Sequence, residues 1–209
     1  MKGAAVLNEK VIVKSLTAEN FLSLDKVQVD FGKLTILVGP NAAGKSNIVK
    51  ALTLLSGIGI EGGGTDIQTI CEEYLRFGSI RQVFYDPRKE VTLRLNLEVK
   101  GQNVSYSISF NSYGRIIKEE VFREISLLTR STIDNASYTD DKGESRKLPL
   151  RPSIPAINQI YPYESHFVIK KMKEILKNIR SYAFEADKIR SDSSSGFNLN
   201  LSRDGSNLA

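Results

Sequence analysis

Eight consecutive residues combine two glycines with a lysine and a serine in the spacing G-x-x-x-x-G-K-S, a pattern associated with phosphate binding. The glycines allow the backbone to curl so that its amide hydrogens point inward and surround an anion. The lysine ammonium would bind the β- and γ-phosphates, and the serine hydroxyl would ligate Mg²⁺. The segment therefore predicts a site for the phosphates of a nucleoside triphosphate with Mg²⁺, formed by Gly39, Pro40, Asn41, Ala42, Ala43, Gly44, Lys45 and Ser46.

The segments on both sides of this loop agree with that prediction. Leu34-Thr35-Ile36-Leu37-Val38 is a short apolar run, typical of a central strand buried on both faces. From Ser46 to about Ser56 the apolar residues recur at helical spacing. A helix that begins there would direct the positive end of its dipole at the phosphates. The alternative is an incidental glycine turn before a helix, which this strand–loop–helix context disfavours.

Further short elements surround this unit. Strands are predicted at residues 11–13 and 27–31, the second with apolar and polar residues in alternation. Residues 57–64 include five glycines and predict a flexible connection. Asp66 is then placed to cap a helix that Gly78 would end.

An antiparallel meander is predicted next. Five apolar residues alternate with four polar ones over residues 91–99, and a similar alternation over 104–110 follows a turn, which favours a hairpin. A third strand would cover roughly 116–127. Residues 129–155 are polar and contain three prolines, which indicates a surface loop or hairpin. A helix is predicted from 165 to about 180.

Composition excludes some classes of protein. The single cysteine, Cys71, rules out a disulfide framework and fits a reducing compartment, so we expect a cytoplasmic protein. No run of eighteen or more apolar residues occurs, so no membrane partner is expected. The formal net charge of +5 permits a nucleic-acid partner without requiring one.

The cations of the predicted carboxy-terminal helix and the single histidine can each be interpreted in two ways. The predicted carboxy-terminal helix is rich in cations, which form either a solvated face or a contact with the DNA backbone; they are Lys170, Lys171, Lys173, Lys177 and Arg180. His166, the only histidine, lies just before this helix, where a surface or packing role is favoured over a catalytic one.

The residues around the loop extend the comparison to a known family. Glu19-Asn20-Phe21-Leu22-Ser23-Leu24, Val29-Asp30-Phe31-Gly32-Lys33-Leu34-Thr35 and Gly39-Pro40-Asn41 resemble the amino-terminal part of an ABC-class ATPase of the RecF/SMC type, in particular the short ATPases of that group that lack a long coiled coil. Leu22 stands where a basic residue is usual. The segment 201–209 is similar to a second stretch of the same proteins.

The resemblance implies roles for two further residues and names the nucleotide. Asn47, which follows the loop, matches the family pattern and would join the ATP-binding set. In resembling proteins a glutamine from the region of Gln82 reaches Mg²⁺ and the attacking water, so Lys45 and Gln82 would be the catalytic residues, with Ser46 and Gln82 at the metal. The alternative is that Gln82 is an ordinary polar residue.

Part of the family pattern is not found in these residues. Family members carry an L-S-D/G-G signature, a later switch histidine and a Walker B strand of four apolar residues that ends in Asp-Glu. No Walker B match occurs, since Val27-Gln28-Val29-Asp30 is interrupted by glutamine and Tyr182-Ala183-Phe184-Glu185-Ala186-Asp187 lacks the acidic pair. The chain is therefore interpreted as an amino-terminal portion or one half of a split ATPase, nearly inactive by itself.

These observations together predict an α/β protein: a P-loop NTPase lobe of the ABC/SMC head type, an antiparallel β-subdomain and a carboxy-terminal helical segment. The predicted domains are 11–78, 79–128, 129–163 and 164–209. The resemblance implies a homodimer that forms on ATP, or a carboxy-terminal partner half, with a role in DNA repair, chromosome maintenance or phage defence. A GTPase is disfavoured because no Asn-Lys-x-Asp motif occurs, and a kinase because it would not explain the meander. A non-catalytic nucleotide-sensing module that regulates a separate effector remains an alternative.

Overall fold

An eight-stranded antiparallel sheet dominates the structure, a computed structural model that describes residues 11–61, 64–160 and 166–182. The strand order is β2-β1-β3-β4-β5-β6-β7-β8, so β3 pairs with β1 and each strand from β3 onward pairs with the next one in sequence. The strands are β1 (Val11–Phe21), β2 (Leu24–Asp30), β3 (Val91–Val99), β4 (Gln102–Phe110), β5 (Ile116–Arg123), β6 (Ile125–Arg130), β7 (Ala136–Thr139) and β8 (Ser145–Leu148).

Helices pack beside this sheet. They are α1 (Lys45–Ile60), α2 (Ile67–Leu75), α3 (Ala156–Gln159) and α4 (Phe167–Asn178), with a 3-10 helix at Ile80–Val83. No helix among the described residues is long and apolar enough to cross a membrane. The predicted α/β class, with an antiparallel sheet and a carboxy-terminal helix, is confirmed.

The predicted hairpin and its alternation are confirmed by β3 and β4. Val91, Leu93, Leu95 and Leu97 are buried, whereas Arg94 between them is exposed. The register pairs Leu95 with Tyr106 and Leu93 with Ile108, so apolar residues of both strands lie on one face. Because full burial of such a side chain contributes about 1.5–3 kcal/mol, this alternation specifies which face packs on the helices.

The third predicted strand is divided in two. Glu124 adopts a left-handed φ of 57°, and the chain reverses there between β5 and β6. The polar segment that follows is a hairpin, one of its two predicted forms, because β7 pairs antiparallel with β8. Strands from three of the four predicted domains thus share one sheet, and the domain boundaries themselves stay a prediction.

The prediction of a buried central strand at Leu34–Val38 is wrong. This segment is not paired with any strand in the described part of the chain, and Leu34, Ile36 and Val38 are 80%, 72% and 88% exposed. The reason is topological. Both edges of β1 are occupied, by β2 and β3, and the segment does not pair with the free outer edge of β2 or of β8 either. An apolar run forms a buried strand only where neighbouring strands are available.

The prediction of a flexible connection over residues 57–64 is wrong at its start, because α1 continues to Ile60. A Cβ on Gly59 would lie 2.6 Å from the Leu176 carbonyl carbon and closer still to the Lys177 backbone nitrogen. A Cβ on Gly57 would lie 2.8 Å from the Tyr74 ring. These glycines therefore permit close approach of α4 and α2 to α1, rather than flexibility.

The remaining helix predictions hold with small shifts. The Asp66 carboxylate accepts a hydrogen bond from the Thr69 amide at 2.8 Å, which confirms the cap of α2. The helix ends at Leu75, where Arg76 adopts a left-handed φ of 58°, before the predicted Gly78. The predicted helix over 165–180 is α4. The tail at 201–209 lies outside the described residues.

Candidate nucleotide-binding site

The glycine loop ends where α1 begins, and Gly44 occupies the junction. Its φ of +85° lies in the left-handed region that favours glycine. A Cβ on Gly44 would also lie 2.9 Å from Leu24 Cδ2 and 3.2 Å from Ser23 Oγ. Backbone conformation and close packing on the β1–β2 turn both require glycine here.

Lys45 folds its side chain back over the loop. Its Nζ donates hydrogen bonds to the carbonyl oxygens of Gly39 at 2.7 Å and Pro40 at 2.6 Å. The ammonium is thus held by two neutral acceptors. A phosphate oxygen is a stronger acceptor for it, because charge-assisted hydrogen bonds are about twice as strong as neutral ones. The loop therefore keeps a cation ready beside the amino end of α1.

The amino end of α1 has the features of an anion site. No acidic residue lies in its first turn, and Gly44, which lacks a side chain, leaves the first amides without a side-chain cap. The positive end of the helix dipole and these amides favour a negative ligand. Ser46 is exposed in the same turn. The geometry fits the phosphates of a nucleotide.

A metal ion would have few protein ligands here. Within the described ranges, no group of three or more histidine, cysteine, aspartate or glutamate side chains could hold a metal. Mg²⁺ often keeps several waters and binds through one or two protein ligands plus substrate phosphates. The Ser46 hydroxyl fits that chemistry as a single ligand beside the phosphates. The assignment of Ser46 to Mg²⁺ stays a prediction.

Asn47 connects the helix to the β1–β2 turn. Its side-chain amide donates a hydrogen bond of 2.8 Å to Ser23 Oγ. The same turn packs on Gly44 through Leu24 and Ser23. Asn47 is therefore placed to position the start of α1, and a direct contact with nucleotide stays a prediction.

Asn20 connects that turn to the segment before β3. In the sequence it stands out only as one residue of the family-like segment 19–24. This buried residue has a left-handed φ of 55°. Its Nδ2 donates to the carbonyls of Asp86 (2.9 Å), Lys89 (3.1 Å) and Glu90 (3.3 Å), and its Oδ1 accepts from the Asp86 amide at 2.6 Å. Only its residue type could have indicated this role in the sequence, because asparagine tolerates a left-handed φ and forms hydrogen bonds with nearby backbone groups.

Gln82 lies in the 3-10 helix and is exposed. The next residue, Val83, accepts a hydrogen bond of 2.6 Å from the Leu22 amide, and Leu22 directly precedes Ser23. The segment that carries Gln82 is thus bound to the same turn that packs on the glycine loop. The predicted catalytic and metal-binding role of Gln82 stays a prediction.

The lysine-rich face of α4 is largely engaged within the protein. Lys170 pairs with Asp141 at 2.6 Å, and Lys171 pairs with Glu174 at 3.1 Å. Burial, followed by the charge of Lys177, lowers the pKa of Lys173. Of the five cations only Lys177 and Arg180 are exposed. The helix therefore offers less charge to a DNA backbone than its sequence suggests.

His166 has a structural role. Its Nδ1 accepts a hydrogen bond of 3.1 Å from the Val168 amide, so the side chain caps α4. Its backbone amide donates to the Thr139 carbonyl at 3.0 Å, which attaches α4 to β7. The favoured interpretation of His166 as a packing residue agrees with this geometry.

A buried polar network lies between the sheet and α1. Glu119 accepts hydrogen bonds from Tyr106 Oη (3.0 Å) and the amides of Ala156 (2.5 Å) and Ile157 (3.0 Å), so it caps α3. Burial raises the pKa of the Glu119 carboxyl, and the two backbone hydrogen bonds oppose that shift. Asn158 of α3 donates to the Ile58 carbonyl at 3.0 Å. The network thereby joins β5 to the carboxyl end of α1.

An open apolar groove of about 890 Å³ lies beside the site. One wall is the segment after β2, from which Phe31, Gly32, Lys33, Thr35 and Leu37 line the groove. The other walls come from β1, α1 and α4. Ile48, Val49 and Leu52 form its α1 wall. From the run Leu34–Val38, Thr35 and Leu37 line this groove, and Leu34, Ile36 and Val38 are exposed outside it.

A family model and two known proteins match this chain. Residues 34–192 match a family model described as "AAA domain, putative AbiEii toxin, Type IV TA system". Over 140 residues, 62% of the chain, the sequence is 26% identical to the "DNA double-strand break repair Rad50 ATPase" of Sulfurisphaera tokodaii, 13% of which is covered. Over 46 residues, 22% of the chain, it is 41% identical to the "OLD nuclease" of Thermus scotoductus, 9% of which is covered. The chain thus spans only a small part of the length of these relatives.

Two solved structures are also similar. One is titled "Structure of the recombination mediator protein RecF-ATP in RecFOR pathway", with a TM-score of 0.40 and 19% identity over 57% of this chain and 29% of that chain. The second, of the same protein with ATPrS, has a TM-score of 0.36 and 17% identity over 56% of this chain and 28% of that chain.

Proposed function

The chain belongs to the AAA_21 family of AAA domains, and from that premise we propose that it binds MgATP as the amino-terminal portion of an ABC-class ATPase. The family match and the similarity to a Rad50 ATPase confirm the resemblance to the RecF/SMC-type ATPases found in the sequence. The observation that carries the proposal is the junction at Gly44, where an uncapped helix and the Lys45 ammonium meet at one exposed loop.

In the binding step the loop exchanges internal hydrogen bonds for bonds to phosphate. Lys45 would leave the carbonyls of Gly39 and Pro40 and bind the β- and γ-phosphates, while the first amides of α1 would donate to phosphate oxygens. Ser46 would hold Mg²⁺, which when bound neutralises charge on the phosphates. Asn47 and Ser23 would keep the helix start in place.

We propose that the apolar groove receives a carboxy-terminal half of the ATPase that carries a Walker B strand. Thr35 and Leu37 line the groove, whereas Leu34, Ile36 and Val38 do not line it and are exposed. A carboxy-terminal half that pairs with this segment and packs on its exposed side would bury these three side chains. Burial of each such side chain contributes about 1.5–3 kcal/mol. The acidic residues that end the added strand would then lie beside the glycine loop.

Hydrolysis depends on that completion. In-line attack on the γ-phosphate needs a positioned water, a water-orienting or basic group and stabilisation of developing charge. Lys45 and Ser46 would supply part of the charge stabilisation, and Gln82 would position water. No Walker B carboxylates occur in the 209 residues, so the chain alone would bind ATP and turn it over at close to the background rate.

Completed heads would dimerise on ATP and separate after hydrolysis, as the family resemblance implies. We propose a role in DNA repair, because the relatives that the chain matches are a repair ATPase and a nuclease. Chromosome maintenance and phage defence are further settings for the same mechanism. A change from monomer to dimer on addition of MgATP, measured by light scattering after gel filtration, would support this step.

Calorimetric titration with MgATP tests the binding step. Lys45→Ala should weaken binding about ten- to more than a hundredfold, because it removes charge-assisted hydrogen bonds of roughly 1.5–3 kcal/mol. Lys50→Ala is the matched control, since this lysine lies on the same helix and contacts the Phe77 ring instead of the loop. Equal affinity for the wild type and Lys45→Ala would refute the assignment.

Steady-state phosphate release tests the catalytic step. The chain alone should show background turnover, and a carboxy-terminal half should restore hydrolysis that Lys45→Ala abolishes. Lys45-dependent turnover near one per second from this chain alone would show that it does not need a carboxy-terminal half for hydrolysis. ATP binding with no hydrolysis after completion would favour a nucleotide-sensing module that regulates an effector.

A further inference from the structure

A cavity of about 190 Å³ lies between the β3–β4 hairpin, β5 and α4. Six apolar side chains line it together with three cations, Lys100, Arg123 and Lys171, and none of the described residues that line it is acidic. We propose that this cavity, the cationic pocket, binds a carboxylate that carries one apolar group of about the size of a phenyl ring. The proposal is independent of ATP binding, since the glycine loop does not line the pocket.

The apolar part of the cationic pocket belongs to the folded core. Val104 of β4 and Val168 and Met172 of α4 line it, and they are 4%, 5% and 1% exposed. The volume of the pocket limits the size of the ligand. A dry apolar cavity of about 150 Å³ holds one benzene molecule, whereas drug-sized ligands occupy about 300–1,000 Å³. The cationic pocket therefore has room for one ring or one branched aliphatic group.

Phe167 supplies an accessible aromatic wall. It begins α4, lines the pocket and is 44% exposed. The Lys100 Nζ lies 6.0 Å from the centroid of the Phe167 ring, so a cation stands beside this wall. An aromatic ligand would pack on the Phe167 ring, and aromatic pairs gain stability beyond the area that they bury. The pocket thus offers an aromatic contact and a positive charge at adjoining positions.

Arg123 is the cation whose charge is left uncompensated. It ends β5 and is half-buried, and within the described ranges its guanidinium forms no hydrogen bond or ion pair. Lys171 differs, because it pairs with Glu174 at 3.1 Å and only 11% of its side chain is exposed. A half-buried charge without a partner is costly, and a carboxylate accepts two parallel hydrogen bonds from a guanidinium. Arg123 is therefore the residue that we expect to bind the carboxylate.

The mixture of apolar and charged lining favours a carboxylate over a phosphate. A phosphate group would leave most of the apolar lining unfilled and would bring its charged oxygens against Val104 and Met172, which costs free energy. A carboxylate joined to a ring lets the apolar group fill the interior while the charge stays at the cations. This chemistry occurs in free aromatic acids and at the carboxyl terminus of a peptide whose last residue is apolar.

NMR titration of the isotope-labelled chain with hydrocinnamate, without nucleotide, tests the proposal through the shifts of the Val168 and Met172 amides. The dissociation constant should be about 0.1–5 mM, as expected for a ligand of about eleven heavy atoms. The neutral hydrocinnamide and the ring-free propanoate should each bind about tenfold more weakly or worse, since each lacks one half of the recognised chemistry. An amide that binds as tightly as the acid would overturn the proposal, and so would an acid that shifts neither backbone amide.

A pair of arginine variants locates the carboxylate. Arg123→Gln should weaken hydrocinnamate binding about tenfold or more, because it removes charge-assisted hydrogen bonds. Its melting temperature should stay that of the wild type, since the guanidinium has no partner to lose among the described residues. Arg94→Gln is the matched control, because Arg94 is an exposed cation of β3 that does not line the pocket. Equal losses for the two variants would indicate non-specific attraction and contradict the assignment. Lys45→Ala should bind hydrocinnamate like the wild type, so failure of this proposal can be told apart from failure of the ATP site.

A pair of phenylalanine variants locates the ring. Phe167→Ala should weaken hydrocinnamate binding about two- to tenfold through loss of the aromatic contact. Phe122→Ala removes a similarly exposed ring of β5 that does not line the pocket, and it should keep the wild-type affinity. The same affinity for both variants would refute the placement of the ligand ring.

A short peptide that ends in phenylalanine separates the two sources of this chemistry. If the peptide with a free carboxyl terminus binds at least about tenfold more tightly than hydrocinnamate, the pocket is assigned to a protein carboxyl terminus. If the peptide binds more weakly than hydrocinnamate, the pocket is assigned to a free acid. In both cases Arg123→Gln should weaken the tighter ligand, and a tighter ligand that Arg123→Gln leaves unaffected would show that the cationic pocket is not its site.

Discussion

Asn20 should carry an unusually large share of stability for one polar side chain. Asn20→Ala removes both side-chain amide hydrogens, which bind the carbonyls of Asp86, Lys89 and Glu90, and the oxygen that accepts from the Asp86 amide. These bonds attach the end of β1 to the segment before β3. The variant tests whether that attachment holds the region of Gln82 against the β1–β2 turn.

The expected loss can be estimated from the contacts. Three hydrogen atoms take part in these bonds, two from the Asn20 side-chain amide and one from the Asp86 backbone amide. At about 1 kcal/mol net for each, their loss costs roughly 3 kcal/mol. Alanine at a φ of 55° adds about 1 kcal/mol, because the left-handed region costs alanine more than asparagine. The free energy of unfolding should therefore fall by about 3–4 kcal/mol. For a chain of this length, the melting temperature should fall by roughly 10 °C.

Urea denaturation followed by circular dichroism measures the loss, and native-state hydrogen exchange locates it. The Asp86 amide bonds to the Asn20 side chain and should exchange faster in the variant, whereas the Tyr85 amide bonds to the Asn20 backbone and should change less. Asn96→Ala is the control. The Asn96 side chain donates a single hydrogen bond to Ser15 Oγ, so its removal should cost about 1 kcal/mol. Equal losses for the two variants, or an unchanged Asp86 amide, would refute the reasoning.

Three further predictions test the fold by urea denaturation. Gly59→Ala should destabilise more than Gly57→Ala, because its Cβ meets backbone of α4 whereas that of Gly57 meets side chains; the reverse order would contradict the packing. Burial raises the pKa of Glu119 in the folded state above its ordinary value of 4.5. The free energy of unfolding of the wild type, measured relative to that of Glu119→Gln, should therefore fall as the pH rises above 4.5. A difference that does not change with pH would show that the pKa of Glu119 is not raised. Ile36→Asp should change the stability of this chain by less than about 0.5 kcal/mol, because the side chain is exposed; a loss above about 2 kcal/mol would indicate a buried strand.

Features with a short-range cause were predictable from the sequence. The alternation of β3 and β4 reports burial on one face, and the register confirms it. Asp66 caps α2 because its carboxylate reaches an amide three residues away. The start of α1 directly after Gly44-Lys45 follows from the glycine pattern, and the structure places the uncapped amides and the lysine at that point.

Features that depend on distant partners were not predictable in the same way. In the sequence, Gly57 and Gly59 indicate the end of a helix. In the structure they allow α1 to contact Tyr74 of α2 and Leu176 of α4, which follow later in the chain. Asn20 looks like one more polar residue until the segment at 86–90 folds against it. The cations of α4 look accessible until Asp141, on the β7–β8 turn, pairs with Lys170.

The sequence by itself therefore determined the junction between the glycine loop and α1, the apolar faces of β3 and β4 and the Asp66 cap of α2, because each depends on residue types within a few positions of one another. Only the tertiary structure decided which strands are neighbours. The apolar run Leu34–Val38 pairs with no strand among the described residues and stays largely exposed, although its composition is that of a core strand. A strand needs partners for its backbone groups, and apolar composition alone does not supply them.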